Sequence, residues 1–393
     1  MKANIGVFFG GRSVEHEISI ITAVQAIASF DKEKYNITPV YVTKKGKWYT
    51  GEALLELNNY KNIDSLLSKC TEVYMVPEYG NYGVYKTSAG IFDKKLITNL
   101  DVVFPAFHGT NGEDGVFQGV VESIGIPFVG CNTLASSNGM DKIFMKMILK
   151  DCEVPVIDCF WCTDFDLKND LDNVIAKIEA KIPYPIIVKP ANLGSSIGIS
   201  KAADRDALIE ALDLAAQFSS RIIAEKMVTN LKEINCSVLG DCDECEPSVC
   251  EEPVKTEDIL SYKDKYLGGS KTSKGMQSTQ RRLPADLPDD VTAEIRSLAV
   301  KTFKSLSCNG VSRIDFIIDT DTNEIFVNEI NTIPGSLSFY LWEATGVSFK
   351  DLIDRLINLA YKRKRKTDNK VASYDQNIFN FQKDFSGGKL GVK

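Results

Sequence analysis

The chain has 393 residues, which is enough for two or three domains. Apolar residues make up 44% of it and charged residues 25%, the composition of an ordinary globular protein. The formal net charge of −7 argues against a nucleic-acid-binding protein, because such proteins usually carry a basic surface.

The sequence carries no recognisable targeting segment. Its first apolar run, residues 5–9, is too short for the apolar region of a secretory signal peptide. No stretch approaches the roughly 18 apolar residues of a membrane span. We therefore expect a cytoplasmic protein whose ten cysteines stay reduced.

The first 130 residues alternate strand and helix signals. Strands are predicted at residues 5–9, 36–42, 101–107 and 127–130. The helix after the first strand is predicted to bury the face that carries Ile20, Val24, Ile27 and Ala28. A second helix is predicted to end at Ile124. This alternation predicts an α/β domain over residues 1–130 with a doubly wound parallel sheet, whose ligands bind beyond the carboxyl ends of the strands. Residues 44–100 form an unassigned insertion.

Two further units are predicted at residues 131–225 and 226–366. The first of them contains a strand at 185–190. The strands of the second are predicted at residues 233–239, 248–254, 311–318 and 325–331. Its two long helices each bury one apolar face, formed by Val291, Ile295, Leu298, Ala299 and Phe303 and by Phe349, Leu352, Ile353, Leu356 and Ile357. The basic run 362–366 is predicted to be a solvated helix end, and residues 367–393 a tail.

Two predicted strands near the C-terminus carry charged side chains at alternate positions. Arg313 and Asp315 share one face of the first strand, and Glu329 and Asn331 share one face of the second. If the strands are hairpin neighbours, one sheet face presents an arginine and three oxygen ligands. Mg²⁺ prefers such sparse oxygen sites, completed by phosphates and water, and a nearby arginine stabilises developing negative charge. The alternative is a ladder of ion pairs on an exposed sheet.

A lysine at the end of a predicted strand precedes a loop rich in glycine and serine, residues 189–198. Backbone N–H groups and hydroxyls of such a loop can surround phosphates, and Lys189 supplies a cation. The order differs from a Walker A motif, in which the lysine follows the glycines, and a tight turn is the alternative. Lys142 is a second candidate cation, and Asp141 is predicted to cap the helix that Lys142 begins.

Both histidines of the chain lie in glycine-rich loops at predicted strand ends. His16 belongs to the loop 10–17, and His108 begins the loop 108–115. A solvated loop histidine is the common case, but a pair at the ligand edge of one parallel sheet favours a binding site. Glu15 is a candidate partner for a substrate ammonium group.

Four cysteines lie close together in the third unit, at Cys236, Cys242, Cys245 and Cys250. One pair has zinc-like CxxC spacing, whereas the outer spacings are irregular. Free thiols around a hairpin turn are the favoured interpretation. A zinc-linked interaction module is the alternative that is not an enzyme.

Taken together, these motifs resemble the D-alanine–D-alanine ligase family of the ATP-grasp superfamily, from about residue 3 to residue 360. The family's GGxSxExxxS motif is matched by residues 10–19, and its HGxxGEDG motif by residues 108–115. Further similar segments are the ATP-binding lysines at 140–142 and 189–198, the adenine hinge 225–228 with Glu233, the active-site pair Lys265-Tyr266, and the metal-binding set between residues 313 and 331.

The resemblance implies that residues 131–366 form the two α+β subdomains of an ATP-grasp fold. It also implies an enzyme that joins two D-alanines for peptidoglycan precursors through a D-alanyl phosphate. ATP and two Mg²⁺ or Mn²⁺ ions would be required, and the enzyme would be a homodimer. The implied catalytic residues are Glu15, Ser195, Tyr266 and Arg313. The implied nucleotide-binding residues are Lys142, Lys189, Ser196, Glu225, Lys226, Val228, Glu233 and Lys265. The implied metal ligands are Asp315, Glu329 and Asn331, and the implied substrate-binding residues are His108, Gly335 and Ser336.

Two departures from the family pattern surround the expected site of the second substrate. One is the segment 336–342, in which the candidates for binding a carboxylate are Ser336, Ser338 and Tyr340. The other is an apparent insertion at 268–276 in a loop that ends in Arg281-Arg282. A related ligase for D-serine, D-lactate or another amino acid is therefore an alternative. Tyr266 argues against D-lactate, because ester-forming relatives tend to carry a histidine there.

A nicotinamide dehydrogenase is a rival enzyme class suggested by the doubly wound start of the chain. The first glycine-rich loop, with Gly10-Gly11, does not spell the GxGxxG fingerprint of that class. No acidic residue follows convincingly at the expected distance on a second strand. The sequence therefore favours the ligase.

Overall fold

A computed structural model describes residues 2–88, 90, 94–194, 197–253 and 281–373. Within these residues the chain forms three sheets, of seven, four and five strands. Helices cover the sheets, and the last long helix returns to the N-terminal sheet. No helix of the described ranges has the length and apolar character needed to cross a membrane.

The N-terminal sheet is parallel over three strands at one end and antiparallel over the rest. Its strands are β1 (Ala3–Gly10), β2 (Tyr35–Val42), β3 (Trp48–Thr50), β4 (Thr71–Met75), β5 (Gly83–Lys86), β6 (Leu96–Asn99) and β7 (Val102–Pro105). The helices are α1 (His16–Ser29), α2 (Ile63–Leu67) and α3 (Val116–Ile124), and two short 3₁₀ turns lie at Glu52–Leu55 and Leu57–Lys61. The strand order is β6-β5-β4-β3-β2-β1-β7, with β1 parallel to β2 and β7.

Alternation along β1 explains why helices cover both faces of the sheet. Val7 and Phe9 pack in the cluster that contains α1, whereas Phe8 packs on the opposite face with α3. All three side chains are fully buried, as expected for a parallel strand that has a strand on each side and a helix on each face. The predicted doubly wound parallel sheet is therefore confirmed for the three strands β2, β1 and β7.

Three details of the N-terminal domain differ from the prediction. The unassigned insertion contributes the antiparallel strands β3 to β6. The predicted strand at 127–130 makes only an isolated bridge, between Phe128 and Val103. The buried face of α1 is also rotated, because Ala28 is exposed while Ala23 and Ala26 are buried. Helix α1 also contacts a turn near residue 336, through Thr22 and Gln25. The spacing of apolar residues within the helix does not reveal this long-range contact.

The second sheet is antiparallel and is backed by two helices. This part contains α4 (Thr133–Met140), α5 (Lys142–Asp151), β8 (Cys159–Thr163), α6 (Asp164–Lys181), β9 (Ile186–Pro190), β10 (Ser200–Ala202), α7 (Arg205–Ala216) and β11 (Arg221–Lys226). The strand order is β10-β9-β11-β8. Helices α6 and α7 share its apolar core, whereas α4 and α5 pack in the core of the next sheet. The domain limits at residues 130, 225 and 366 stay a prediction.

The third sheet is antiparallel, in the order β14-β13-β12-β15-β16. Its elements are β12 (Leu231–Gly240), β13 (Cys245–Pro253), β14 (Arg281–Arg282), α8 (Asp289–Ser305), β15 (Gly310–Asp319), β16 (Ile325–Asn331), α9 (Phe339–Ala344) and α10 (Phe349–Asp368). A short turn, Gly335–Ser338, precedes α9. The apolar faces predicted for α8 and α10 are confirmed, since both pack against buried cores.

The basic run in α10 is not the purely solvated face that was predicted. Arg363 donates hydrogen bonds to the carbonyls of Phe128 and Gly130, and its guanidinium lies 3.9 Å from the centroid of the Phe128 ring. Lys362 pairs with Asp241 at 2.7 Å. The run therefore fastens α10 to the N-terminal domain and to the β12–β13 turn.

Candidate functional site

A cleft of about 320 Å³ lies between the second and third sheets and is closed at one end by the N-terminal loops. Nearly all the site residues predicted from the sequence line it where the structure describes them. These are Glu15, His108, Lys142, Lys189, Glu225, Lys226, Val228, Glu233, Arg313, Asp315, Glu329, Asn331 and Gly335. Ser336 lies next to the cleft lining. The predicted roles of Ser195, Ser196, Lys265 and Tyr266 fall on residues outside the described ranges.

A buried triad of charges occupies the wall formed by β9, β11 and α5. One carboxylate oxygen of Glu225 lies 2.7 Å from the Lys189 ammonium nitrogen, and the other lies 2.9 Å from the Lys146 ammonium nitrogen. All three side chains are buried. Burial alone would raise the pKa of Glu225, but the two ammonium groups outweigh it and lower that pKa to about 2. Glu225 is therefore ionised at neutral pH and holds Lys189 on the cleft wall.

Lys142 connects this wall to the third sheet. It is the first residue of α5, and Asp141 caps the helix by accepting from the N–H groups of Ile143 and Phe144, as the sequence predicted. The Lys142 ammonium donates to the Leu193 carbonyl at 2.8 Å and lies 3.3 Å from Glu329. A second cation is thus held on the cleft wall, with a carboxylate beside it.

The charged face predicted for β15 and β16 is confirmed. The strands are antiparallel neighbours, with Arg313 opposite Asn331 and Asp315 opposite Glu329. Arg313 donates two hydrogen bonds of 2.7 Å to the Asp315 carboxylate, and the Asn331 amide donates a third at 3.1 Å. Arg313 and Asp315 are only 14% and 16% exposed, so this is not an ion-pair ladder on an open surface.

The charged face continues across the sheet as a row, here called the polar row, formed by Glu251, Asn235, Asp315 and Glu329. Neighbouring members lie opposite one another on β13, β12, β15 and β16. In the described parts of the chain, no three His, Cys, Asp or Glu side chains cluster closely enough to hold a metal by themselves. Two carboxylates and the Asn331 amide oxygen still fit Mg²⁺, because that ion takes few protein ligands and fills its remaining positions with phosphate and water.

The two histidines have different surroundings. His16 is bonded to the Gly11 carbonyl at 2.6 Å and to the Tyr41 hydroxyl at 2.9 Å, and it does not line the cleft. The expectation of a histidine pair at the site is therefore met by His108 alone. The His108 ring lies 2.7 Å from the Thr22 hydroxyl, and burial lowers its pKa to about 4. His108 is neutral at physiological pH.

Glu113 is a buried carboxyl group beside His108 that the sequence analysis did not single out. Its oxygens accept hydrogen bonds from the N–H groups of Ile333, at 2.9 Å, and Gly109, at 3.2 Å. Burial, with the charge of Glu15 adding to it, raises the pKa of Glu113 to about 8. Glu113 thus joins the loop 108–115 to the end of β16 as a mostly protonated acid at neutral pH.

This raised pKa predicts a pH dependence of stability. Because the pKa in the folded state lies above the unfolded value, the contribution of Glu113 is most favourable at low pH and is lost as pH rises from about 4.5 towards 8. The free energy of unfolding of the wild type should therefore fall relative to that of Glu113→Gln, which cannot ionise. Urea denaturation of both proteins at pH 5.5 and pH 8 measures this. A difference that stays constant between the two pH values would contradict the prediction.

The turn Gly335–Ser338 directs Ser336, a predicted substrate-binding residue, towards helix α1. Ser336, Leu337 and Ser338 all have positive φ. The Ser336 hydroxyl donates to Gln25 at 2.7 Å and its N–H group donates to the Thr22 hydroxyl at 3.0 Å, so Ser336 faces α1. Of the three candidates in segment 336–342, Tyr340 is the one that lines the cleft.

Several cleft residues were missed by the sequence analysis. They are Lys146 in the triad, and Glu113, Asn235 and Glu251 in the cleft lining. Arg281 was noted only as the end of a loop, and Tyr340 only as one of three candidates for binding a carboxylate. Lys146 had a weak signal, since it follows Lys142 by four residues on the same helix face. The others come from strands and loops that are distant in sequence, and no local pattern marks them.

The cysteine cluster has the structure of a hairpin with free thiols. Cys236 and Cys250 lie opposite one another on β12 and β13, both buried, and all ten cysteines are unpaired. No metal-binding cluster forms around them in the described residues.

Two antiparallel sheets that enclose a cleft, preceded by an α/β domain, are the architecture of an ATP-grasp enzyme. Family models described as D-ala D-ala ligase N-terminus and C-terminus match residues 4–131 and 148–358. The chain belongs to the D-alanine–D-alanine ligase family.

Individual relatives agree with this family. The chain is 40% identical to the D-alanine–D-alanine ligase of Thermosipho melanesiensis, over 95% of this chain and 98% of that one. Among solved structures, it is similar to the VanG D-Ala:D-Ser ligase from Enterococcus faecalis, with a TM-score of 0.78 and 30% identity over 92% of this chain and 100% of that one. It is also similar to the D-alanine–D-alanine ligase from Coxiella burnetii, with a TM-score of 0.76 and 27% identity over 93% and 96% of the two chains.

Proposed function

We propose that this protein joins two D-alanine molecules into D-alanyl-D-alanine, with ATP converted to ADP and phosphate. The observation that carries the proposal is the 40% identity to a D-alanine–D-alanine ligase over nearly the full length of both chains. The cleft supports it, because cations that suit phosphates and oxygen ligands that suit a metal line the same space. The product would serve as a precursor of peptidoglycan.

The nucleotide is proposed to lie between the second and third sheets. Lys142 and Lys189 would contact its phosphates, since both ammonium groups are held on the cleft wall by carboxylates. The adenine and ribose would contact the segment 225–228 and Glu233, which line the same cleft. Ser196 and Lys265 are proposed nucleotide ligands from the sequence alone.

Asp315, Glu329 and Asn331 are proposed to hold two Mg²⁺ or Mn²⁺ ions, which would neutralise phosphate charge when bound. Arg313 would stabilise the oxyanion that forms during acyl transfer, because its guanidinium is fixed beside these ligands. Glu15 would pair with the ammonium group of the first D-alanine, aided by Ser195 and Tyr266.

The reaction is proposed to proceed in two steps. The carboxylate of the first D-alanine attacks the γ-phosphorus of ATP, which forms an acyl phosphate and releases ADP. The unprotonated amine of the second D-alanine then attacks the acyl carbon and forms the amide bond. The nitrogen loses one proton to water or to the departing phosphate, and inorganic phosphate leaves with the electrons of the broken C–O bond. Neutral His108 and the Gly335 backbone would border the reacting groups, because both line the cleft.

D-serine is a second candidate for the acceptor amino acid. The similarity to a D-Ala:D-Ser ligase at 30% identity supports it. D-alanine is favoured by the higher identity to ligases named for D-alanine alone. Tyr266 argues against D-lactate, because ester-forming relatives tend to carry a histidine there.

Competition between acceptors tests the proposal. Purified protein with ATP, Mg²⁺, D-alanine and equal amounts of D-serine and D-lactate should release phosphate and yield mainly D-alanyl-D-alanine, identified by mass spectrometry. L-alanine in place of D-alanine serves as the control and should give no dipeptide. Predominant D-alanyl-D-serine would move the assignment to the second candidate, and absence of any D-alanyl product would refute ligation of D-alanine.

We also propose that the protein acts in the cytoplasm as a homodimer. Its dependence on ATP and its ten free thiols support the location. The exposed side chains of Val116, Val120 and Leu134 on α3 and α4 offer apolar surface for a partner subunit. Light scattering of the purified protein would measure the oligomeric state.

A further inference from the structure

Strand β14 places two arginines in different environments. Successive side chains of a strand point to opposite sides. Arg281, which lies opposite Pro253, lines the cleft and is 14% exposed, whereas Arg282 is 58% exposed. A cation thus enters the cleft at the β13 end of the polar row, whereas Lys142 contacts the Glu329 end.

Arg281 is held in place by two neighbours. Its guanidinium lies 4.1 Å from the centroid of the Tyr340 ring, and one terminal nitrogen lies 3.3 Å from a Glu251 oxygen. The other Glu251 oxygen accepts from the Tyr340 hydroxyl at 2.9 Å and from the Asn235 amide at 3.3 Å. Because Glu251 is 4% exposed, this arrangement fixes the plane of the guanidinium in the cleft wall.

The guanidinium keeps unused hydrogen-bonding capacity. It has five N–H donors, and within the described ranges its only ion-pair partner is Glu251. The terminal nitrogen near Glu251 is buried and makes no hydrogen bond to the residues that the structure describes. Arg313, by contrast, already donates two hydrogen bonds to Asp315. Arg281 therefore has more unused donors than Arg313 with which to bind an anion.

We propose that Arg281 binds the α-carboxylate of the second, acceptor amino acid. The proposal rests on the proposed ligase function, in which the carboxylate of the first amino acid is consumed but that of the acceptor stays an anion throughout. A planar guanidinium matches a carboxylate with two parallel hydrogen bonds. Glu251 and Tyr340 are positioning residues. The Tyr340 hydroxyl donates its hydrogen bond to Glu251, and the Tyr340 ring packs against the Arg281 guanidinium. The acceptor is thereby selected for its carboxylate.

D-alaninamide separates this role from the rest of the reaction. It has an amine that can attack the acyl phosphate, but it has no carboxylate to be phosphorylated, so it can act only as acceptor. The wild type should prefer D-alanine over D-alaninamide as acceptor by roughly 10- to 100-fold in kcat/KM, the range expected for a charge-assisted contact. In Arg281→Ala this preference should disappear, with turnover of D-alaninamide and the KM for ATP nearly unchanged.

Two further variants complete the test. Arg282→Ala removes the neighbouring exposed arginine and should keep the wild-type preference. Arg281→Lys keeps the charge without the planar fork, and it should lose part of the preference. Arg281→Lys also serves as the test of the proposed role if Arg281→Ala does not fold. If the wild type makes the dipeptide and the folded Arg281 variants still prefer D-alanine over D-alaninamide, the role of Arg281 is refuted while the proposed function stands. A wild type that makes no dipeptide would instead overturn the proposed function.

Discussion

Replacing Glu329 with glutamine is expected to abolish nearly all ATP turnover while the protein keeps its fold. The change preserves the size of the side chain but removes the charge that lies opposite Asp315 and 3.3 Å from Lys142. If Glu329 holds a metal ion, kcat should fall by about 100-fold or more, because a neutral amide is a much weaker ligand and developing phosphate charge is less well compensated.

The measurement is phosphate release with D-alanine over a range of Mg²⁺ concentrations, with thermal unfolding as the check on folding. Glu324→Gln is the matched control, because Glu324 lies just before the same strand but is exposed. The control should behave as the wild type. Near-normal Mg²⁺-dependent turnover in Glu329→Gln would show that Glu329 is not a metal ligand.

Replacing Glu225 with alanine is expected to cost about 3–5 kcal/mol of stability, the usual effect of removing one member of a buried ion pair. The loss is large because Lys146 and Lys189 would remain buried without their common carboxylate. ATP binding should weaken as well, since Glu225 positions Lys189. Urea denaturation and calorimetric titration with ATP measure the two effects.

The pH dependence of this effect follows from the pKa of Glu225, which is lowered to about 2. Its contribution to stability is present above the unfolded value near 4.5 and is lost as pH falls towards 2, so the difference between wild type and variant should shrink from pH 5 to pH 3. Glu246→Ala removes the exposed ion pair with Arg355 and should cost at most about 1 kcal/mol. Equal losses of unfolding free energy in Glu225→Ala and Glu246→Ala would contradict a stabilising role for the buried triad.

Patterns within single segments predicted most of the fold. The core strands of the N-terminal domain, both long helices of the third unit and the strands β15 and β16 follow from periods of two and of 3.6 residues, whereas the pairing of β15 with β16 was only a condition of the sequence argument. The residue period predicts the wrong buried face where a segment packs against two other elements at once. Helix α1 buries Ala23 and Ala26 because it packs on the sheet and also contacts the turn at Ser336. Segment 127–130 has the composition of a strand but finds only one bridge partner, at Val103.

The sequence by itself determined the family, the cleft motifs and the two pairs of alternating side chains, Arg313 with Asp315 and Glu329 with Asn331, because each of these depends on residue types at short spacing. The tertiary structure alone decided which charges meet. It paired Lys146 and Lys189 on Glu225, buried Glu113 beside His108, and brought Glu251, Arg281 and Tyr340 together from three separate elements. The physical reason is that ionisation and hydrogen bonding depend on burial and on partners across the fold, which spacing along the chain does not specify.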